Sequence, residues 1–262
     1  MQLQGYAIID VIQLYDGLSK KRMDSNNKYF ERFSRTSLLI GHDKLKKLLT
    51  STVYIAGLGG VGGYAFEAIV RAGIGTVHVI DFDIVDISNC NRQILASDST
   101  VGMPKVDVAC HRAQDINPDI IIHKHHIQIT PDNVATLFQS HVDFFIDAID
   151  DVAAKVALIE YLHAHTIPFI SCMGAARAFD PLSLRISDIS KSQYCPLARV
   201  IRKRLKEREI YKGVPCVYFH EERLSNRADS DNMSLPGSLS YMPGIMGLAA
   251  AGFAIKHLIG NV

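Results

Sequence analysis

The chain has 262 residues, of which 48% are hydrophobic and 21% are charged, and its 28 Lys and Arg nearly balance its 27 Asp and Glu. These proportions are those of a folded globular protein and exclude a mainly disordered or collagen-like chain. The net charge of +1 excludes a global field that would attract nucleic acid, although a local basic patch could still do so.

The first 27 residues are predicted to form a loosely ordered extension. They lack a basic start and a small-residue cleavage site, so they are a poor secretory signal. The five cysteines include no CxxC pair, which argues against a disulfide framework and against a four-cysteine zinc site. A reducing cytoplasm is therefore the expected location.

A strand, a glycine-rich turn, a helix and a second strand follow in that order. Residues 52–56 are apolar and β-branched, the glycine run begins at residue 57, a helical pattern continues to residue 71, and residues 77–80 form the second apolar run. This order predicts a βαβ unit.

The turn carries a GxGxxG motif, with glycines at 57, 59 and 62. Such glycines allow a tight turn, close approach of a phosphate and close helix–strand packing, and the helix N-terminus attracts an anion. Asp81 ends the second strand, where a carboxylate can accept hydrogen bonds from a ribose. The motif predicts a nucleotide site, but its spacing leaves open ATP and a nicotinamide dinucleotide.

Strands and helices continue to alternate to residue 172. The predicted elements are a helix over 104–117, a strand over 120–122, a helix over 131–139, a strand over 144–149, a helix over 152–165 and a strand over 168–172. The pattern predicts an α/β fold of the Rossmann-like, doubly wound kind, with a mostly parallel sheet.

The second part of the chain is predicted to be an elaboration of the same domain. The domain would span residues 28–262, with a nucleotide-binding core at about 50–175 and the elaboration at about 176–262. The latter contains possible strands at 184–189 and 216–219 and a polar, turn-rich segment at 225–236. The apolar run at 243–255 is shorter than the ~20 residues that a membrane span needs, so we expect a buried core helix and no membrane insertion.

Charged residues beyond the βαβ unit favour ATP over a nicotinamide cofactor. Arg92, Lys105 and Asp150 follow predicted strands or open predicted helices. Cations neutralise charge that develops on phosphates, and a carboxylate can hold Mg²⁺ against phosphate oxygens. A hydride-transferring enzyme needs no such set, although an oxidoreductase or a non-catalytic Rossmann protein stays an open alternative.

The segments GLGGVGG, IDFDIVDISNCNRQI, VGMPK and IDAIDD resemble those of the ubiquitin-activating-like adenylyltransferases, the ThiF, MoeB and HesA family. The resemblance runs from about residue 33 to the C-terminus. It is strongest to the branch that acts on threonylcarbamoyladenosine at position 37 of tRNA. That branch implies adenylation of the threonyl carboxylate by ATP with Mg²⁺, followed by ring closure with net loss of water.

A second branch of the family is the alternative. Its members adenylate the C-terminal glycine of a ubiquitin-like sulfur-carrier protein, and a small carrier or sulfur-transfer protein would then be the partner. Many of those enzymes carry two zinc-binding CxxC pairs, which this chain lacks.

The resemblance implies roles for residues at the matched positions. Arg92 and Lys105 would stabilise the adenylation transition state, Asp150 would position Mg²⁺, and Arg35 would reach the ATP site of the partner in a homodimer. The remaining nucleotide contacts would come from Gly57, Gly59, Gly60, Gly62, Asp81, Asp83, Asn89 and Gln93. These assignments have simpler alternatives. Arg92 and Lys105 could be surface charges, Asp150 could cap the next helix, and Arg35 could form an ordinary interface salt bridge.

Three further groups of residues have open interpretations. Arg199, Arg202, Lys203 and Lys206 follow helical spacing, which would place four cations on one face and could contact tRNA phosphates. A solvated helix face is the alternative. Cys216 is a possible acyl-carrying thiol or a buried residue, and the histidines at 123, 125 and 126 are expected at a solvated strand edge and not in a metal site.

Overall fold

Seven strands and seven α-helices with defined bounds, together with helical residues at 28–32, are present in the part of the chain that the computed structural model describes, residues 28–225 and 237–260. The strands are β1 (Thr52–Ala56), β2 (Thr76–Ile80), β3 (Ile121–His125), β4 (Phe144–Asp147), β5 (Phe169–Cys172), β6 (Leu184–Asp188) and β7 (Pro215–Phe219). The helices are α1 (Ser34–Ile40), α2 (His42–Thr50), α3 (Gly62–Ala72), α4 (Lys105–Ile116), α5 (Val152–Ala164), α6 (Pro196–Lys206) and α7 (Tyr241–Ile259). The predicted extension at 1–27 and residues 226–236 of the predicted polar segment lie outside the described residues.

The strands form one sheet in the order β3-β2-β1-β4-β5-β7-β6. All neighbouring pairs are parallel except β6 with β7. The α/β prediction with a mostly parallel sheet is therefore confirmed. The chain winds outward from β1 in one direction and from β4 in the other, so the loops after β1 and β4 diverge from a topological switch point.

Alternate side chains of β1 lie on opposite faces of the sheet and pack into two different hydrophobic cores. Val53 and Ile55 of β1 belong to the core that α3, α4 and α7 cover, whereas Tyr54 and Ala56 belong to the core under α5 and α6. This is the burial expected of a strand with both faces covered by helices. By length and composition α7 could span a membrane, but 56% of its apolar window is buried in the protein, and it packs along α3. It is therefore a core helix, as predicted.

The helix predicted at 131–139 is wrong, because only a short 3₁₀ turn, Val134–Leu137, forms there. The side chain of Asn133 accepts a hydrogen bond from Thr130 N at 2.8 Å and donates one to Gln128 O at 2.8 Å. Such bonds from asparagine to nearby backbone groups compete with helical hydrogen bonding. The local side chain therefore decides the conformation of this segment.

The histidines of β2 and β3 form a ring stack at one side of the sheet. His78 stacks on Tyr54 with 3.9 Å between ring centroids and on His123 with 4.3 Å, and its Nδ1 lies 3.0 Å from His125 Nε2. Burial lowers the pKa of His78 to about 4 and also lowers the pKa of His125. Within residues 28–225 and 237–260 no group of three or more side chains suited to metal binding occurs.

Because α7 packs closely on α3, a larger residue at their contact should destabilise the protein. A Cβ on Gly247 would lie 2.1 Å from Val61 O and 2.9 Å from Ala65 N. Because both are backbone atoms, Gly247→Ala should force the helices apart and lower the free energy of unfolding by ~1–3 kcal/mol in urea titrations. Gly252→Ala in the same helix is the matched control, since its Cβ would meet no atom within 4 Å and alanine favours helix by up to ~1 kcal/mol. Equal losses in the two variants would contradict this account.

Candidate active site

The glycine-rich turn follows β1 directly. Gly57 has a φ of +83°, and a Cβ there would lie 2.7 Å from Ala148 O. A Cβ on Gly62 would lie 1.7 Å from Gly57 O. Only glycine fits these two positions. Gly59 meets only the Gln93 side chain, at 3.9 Å, so the turn is open beside this residue, where the first amides of α3 can receive an anion.

Asp81 connects the glycine turn to the end of β2. Its carboxylate accepts hydrogen bonds from Leu58 N at 2.5 Å and from Asp83 N at 2.8 Å. The side chain is buried, and this burial raises its pKa despite the two amide donors. The acid predicted to hold a ribose is therefore also a brace for the turn, a role that the sequence did not indicate.

The segment after β2 folds back against the glycine turn. Gln93 is buried, with Nε2 beside Gly59, and Arg92 O lies 3.5 Å from the position of a Cβ on Gly60. A Cβ on Gly60 would also lie 3.1 Å from the Pro243 ring of α7. The structure thus brings Gln93 and the backbone of Arg92 to the turn.

Asn89 and Arg92, which are predicted to contact the triphosphate, form hydrogen bonds within this segment. Asn89 Oδ1 accepts a hydrogen bond from Asp86 N at 3.1 Å. Arg92 Nη1 donates to Ser88 O at 2.9 Å and to Asn91 Oδ1 at 2.8 Å. Among the described residues, Nε and Nη2 of Arg92 have no hydrogen-bond acceptor, so part of the guanidinium group stays available to an anion.

Lys105 opens α4 and is 4% exposed. Its Nζ lies 2.6 Å from Asp83 Oδ2, and Asp83 is half-exposed. The positive charge of Lys105 also opposes the rise in the pKa of Asp81. A buried cation whose carboxylate partner is half-exposed can exchange that partner for phosphate oxygens.

Asp150 follows β4, on the other side of the switch point from Lys105. Its side chain is exposed and forms no hydrogen bond or ion pair with any described residue. The alternative that Asp150 caps the next helix is wrong, because Asp151 caps α5 by accepting from Ala154 N at 2.8 Å. A free carboxylate at this edge suits Mg²⁺, which proteins hold with one or two carboxylates together with substrate phosphates.

Arg35 lies on α1, where its exposed side chain contacts no described residue of the same chain by a hydrogen bond or an ion pair. The same helix leaves Leu38 82% exposed and Leu39 80% exposed. Within one chain, the structure therefore does not join Arg35 to the glycine turn.

The basic face of α6 has three members and not four. Arg199, Lys203 and Lys206 are exposed, whereas Arg202 Nη1 donates to Ile189 O, Ser192 O and Ser192 Oγ at 3.2, 2.9 and 2.6 Å. The placement of Arg202 on a tRNA-facing stripe is corrected accordingly, because this side chain anchors the turn before α6.

Cys216 lies in β7 and is completely buried. Burial raises the pKa of its thiol to about 12, so the group stays protonated near neutral pH. Since the thiolate is the nucleophilic form, the interpretation of Cys216 as an acyl-carrying thiol is not supported.

Sequence reasoning missed a buried group beside Asp150. Lys155 of α5 is 0% exposed and pairs with Asp147 at the end of β4. The sequence feature that could have indicated this buried pair is a single lysine within the otherwise apolar run VAAKVALI.

Known proteins are similar to most of this chain. The chain is 37% identical over 243 residues to the tRNA threonylcarbamoyladenosine dehydratase of Bacillus subtilis, which covers 88% of the chain and 96% of that relative. The crystal structure of the Escherichia coli tRNA N6-threonylcarbamoyladenosine dehydratase in complex with ATP superposes with a TM-score of 0.82 at 33% identity, covering 88% of the chain and 94% of that structure.

An adenylyltransferase and sulfurtransferase of Culex quinquefasciatus is similar over a shorter length. It is 37% identical over 135 residues, which cover 51% of the chain and 31% of that relative. The family model described as ThiF family matches residues 33–261. The glycine turn, the acid at the end of β2 and the charged residues around the switch point thus occur in a chain that belongs to the ThiF family.

Proposed function

We propose that the protein is an ATP-dependent tRNA threonylcarbamoyladenosine dehydratase. The observation that carries this proposal is the end-to-end similarity to dehydratases of that name, which includes the elements beyond the nucleotide core. Similarity to the sulfurtransferase type stops at about half of the chain. The five cysteines are all free, which fits a reducing cytoplasm, the expected location of such an enzyme.

The geometry supports the adenylation step. The glycine turn and the first turn of α3 would hold the triphosphate, and Lys105 and Arg92 would neutralise charge on it. A carboxylate oxygen of the modified nucleoside attacks the α-phosphorus, and pyrophosphate leaves. The ureido group of the same modification then attacks the acyl carbon, AMP leaves, and the ring closes with net loss of water.

Asp150 would hold Mg²⁺, because its carboxylate is free among the described residues and lies after β4 at the switch point. The ion would supply charge neutralisation for the phosphate oxygens of bound ATP. Asp81 would add a ribose contact to its bracing of the turn, and Gln93 and Asn89 would line the same segment.

The testing experiment is ATP–pyrophosphate exchange with Mg²⁺, comparing tRNA that carries threonylcarbamoyladenosine with unmodified transcript. We expect exchange only with the modified tRNA and loss of ~10²-fold or more in Lys105→Ala and Arg92→Ala, because each removes a preorganised charge. Lys124→Ala is the control, since Lys124 also pairs with an aspartate, Asp107, but is 55% exposed. Exchange driven instead by a small protein ending in Gly-Gly would favour the carrier-activating alternative.

The exposed cations of α6 would contact tRNA phosphates. Replacing Lys203 by Glu should weaken tRNA binding and lower the slope of log Kd against log salt by ~1, since one phosphate contact is lost. Lys256→Glu makes the same charge change on α7, which covers the opposite face of the sheet. Identical slopes for both variants in filter-binding titrations would remove α6 from the RNA surface.

A homodimer would complete the site by bringing Arg35 to the partner's ATP. The exposure of Leu38 and Leu39 beside Arg35 supports an interface at α1. Mixing Arg35→Ala with Lys105→Ala chains should recover about a quarter of wild-type activity, because half of the dimers are mixed and each carries one intact site. No recovery after verified subunit exchange would show that Arg35 does not act in the partner's site.

A further inference from the structure

A fully buried ion pair borders the loop that carries Asp150. Lys155 and Asp147 are both 0% exposed, and Lys155 Nζ lies 2.8 Å from Asp147 Oδ2. Ser171 Oγ donates to the same oxygen at 2.6 Å. The carboxylate and the ammonium group are thus sealed from solvent at the carboxyl ends of β4 and β5.

This pair fixes both backbone groups of the residue before Asp150. Lys155 Nζ donates to Ile149 O at 2.8 Å, and Asp147 Oδ1 accepts from Ile149 N at 3.2 Å. On the other side of Asp150, the side chain of Asp151 caps α5. The backbone on each side of Asp150 is therefore held by side-chain hydrogen bonds, while the Asp150 carboxylate itself is left free among the described residues.

The held loop also touches the glycine turn. Ala148 N donates to Ala56 O at 2.8 Å, and Ala148 O fills the space where a side chain on Gly57 would be. A shift of the loop would therefore change the distance between Asp150 and the turn. Apolar residues often replace a buried ion pair without loss of stability, so stability alone does not explain two charges at this place.

We propose that Lys155 and Asp147 are positioning residues, which hold the Ile149–Asp150 backbone so that the Asp150 carboxylate meets the metal ion of a bound metal–triphosphate. The pair touches neither substrate nor metal and acts through Asp150. This inference rests on the proposed function, because it requires a metal–ATP complex at the switch point.

The test uses the full-length double variant Lys155→Met/Asp147→Asn, since removal of one partner alone leaves an unpaired buried charge that can unfold the chain. Two quantities are measured on the ligand-free and ATP-bound protein: amide hydrogen exchange of the peptide containing residues 148–151, and the Kd of ATP by calorimetry with Mg²⁺ and with EDTA. We expect faster exchange of this peptide, a nearly unchanged Kd in EDTA, and a loss of about tenfold or more in the tightening that Mg²⁺ produces.

Two variants provide the controls. Glu67→Gln weakens another ion-pair cluster, which the buried Glu67 forms with the exposed Arg71 and the partly exposed Arg112 between α3 and α4. It should lower the melting temperature but leave both the exchange of residues 148–151 and the Mg²⁺ effect unchanged. Asp150→Asn should lose the Mg²⁺ effect while the exchange of the loop stays that of the wild type.

The outcomes separate this inference from the proposed function. Unchanged exchange at residues 148–151 in the double variant overturns the inference. The inference is also overturned if Mg²⁺ tightens ATP binding to the double variant as much as to the wild type, while Asp150→Asn has lost this effect. The pair would then have only a structural role. If Asp150→Asn keeps the Mg²⁺ effect, the metal assignment of the proposed function fails, and a positioning role toward a metal fails with it. Failure of tRNA to drive pyrophosphate exchange would refute the proposed substrate without changing any of these readouts.

Discussion

The parallel pairing of β1 with β4 is the contact on which the rest of the structure depends. Strands added beyond β1 lie on one side of this pair, and strands added beyond β4 lie on the other. The hydrogen bond from Ala148 N to Ala56 O continues the pairing past the ends of the strands, at 2.8 Å. Because the chain turns away in opposite directions from this point, a crevice opens between the two loops, and it is there that Gly57 and Asp150 lie.

Two lysine–aspartate pairs near this crevice differ in their exposure to solvent. Asp83 is 46% exposed in its pair with Lys105, whereas both members of the Lys155–Asp147 pair are excluded from solvent. A cation that shares its partner with water can transfer its interaction to a ligand phosphate at little cost, whereas breaking a sealed pair leaves an uncompensated buried charge. The half-exposed partner of Lys105 suits ligand binding, whereas the sealed Lys155–Asp147 pair suits a loop of fixed conformation.

The C-terminal part of the chain supports the crevice from both faces of the sheet. On one face, Gly247 lets α7 approach α3 so closely that a Cβ at this position would lie 2.1 Å from Val61 O, which fixes the helix whose first turn would face the phosphates of bound ATP. On the other face, Arg202 anchors α6 to the turn before it, and Arg199 and Lys203 are exposed.

By itself, the sequence determined the architecture and the identity of most candidate site residues. The informative patterns are local: strand runs such as TVYIA, the spacing of Gly57 and Gly62, and the position of Asp81. Each such pattern is compatible with few backbone conformations. The helix predicted at 131–139 failed for an equally local reason, since the side-chain hydrogen bonds of Asn133 compete with the helix and are not visible in hydrophobic periodicity.

Only the tertiary structure decided which charged residues stay available for interactions outside the chain and which are bound within it. In the sequence, Lys155 and Arg202 look like Lys105 and Arg199, because each is a basic residue in a predicted helix. Burial and hydrogen-bond partners separate them, and burial depends on strands and helices that lie far apart in sequence. Cys216 was likewise ambiguous until its strand was placed inside the sheet. The physical reason is that a charge or a thiol acquires its reactivity from desolvation and neighbours, which a one-dimensional pattern does not contain.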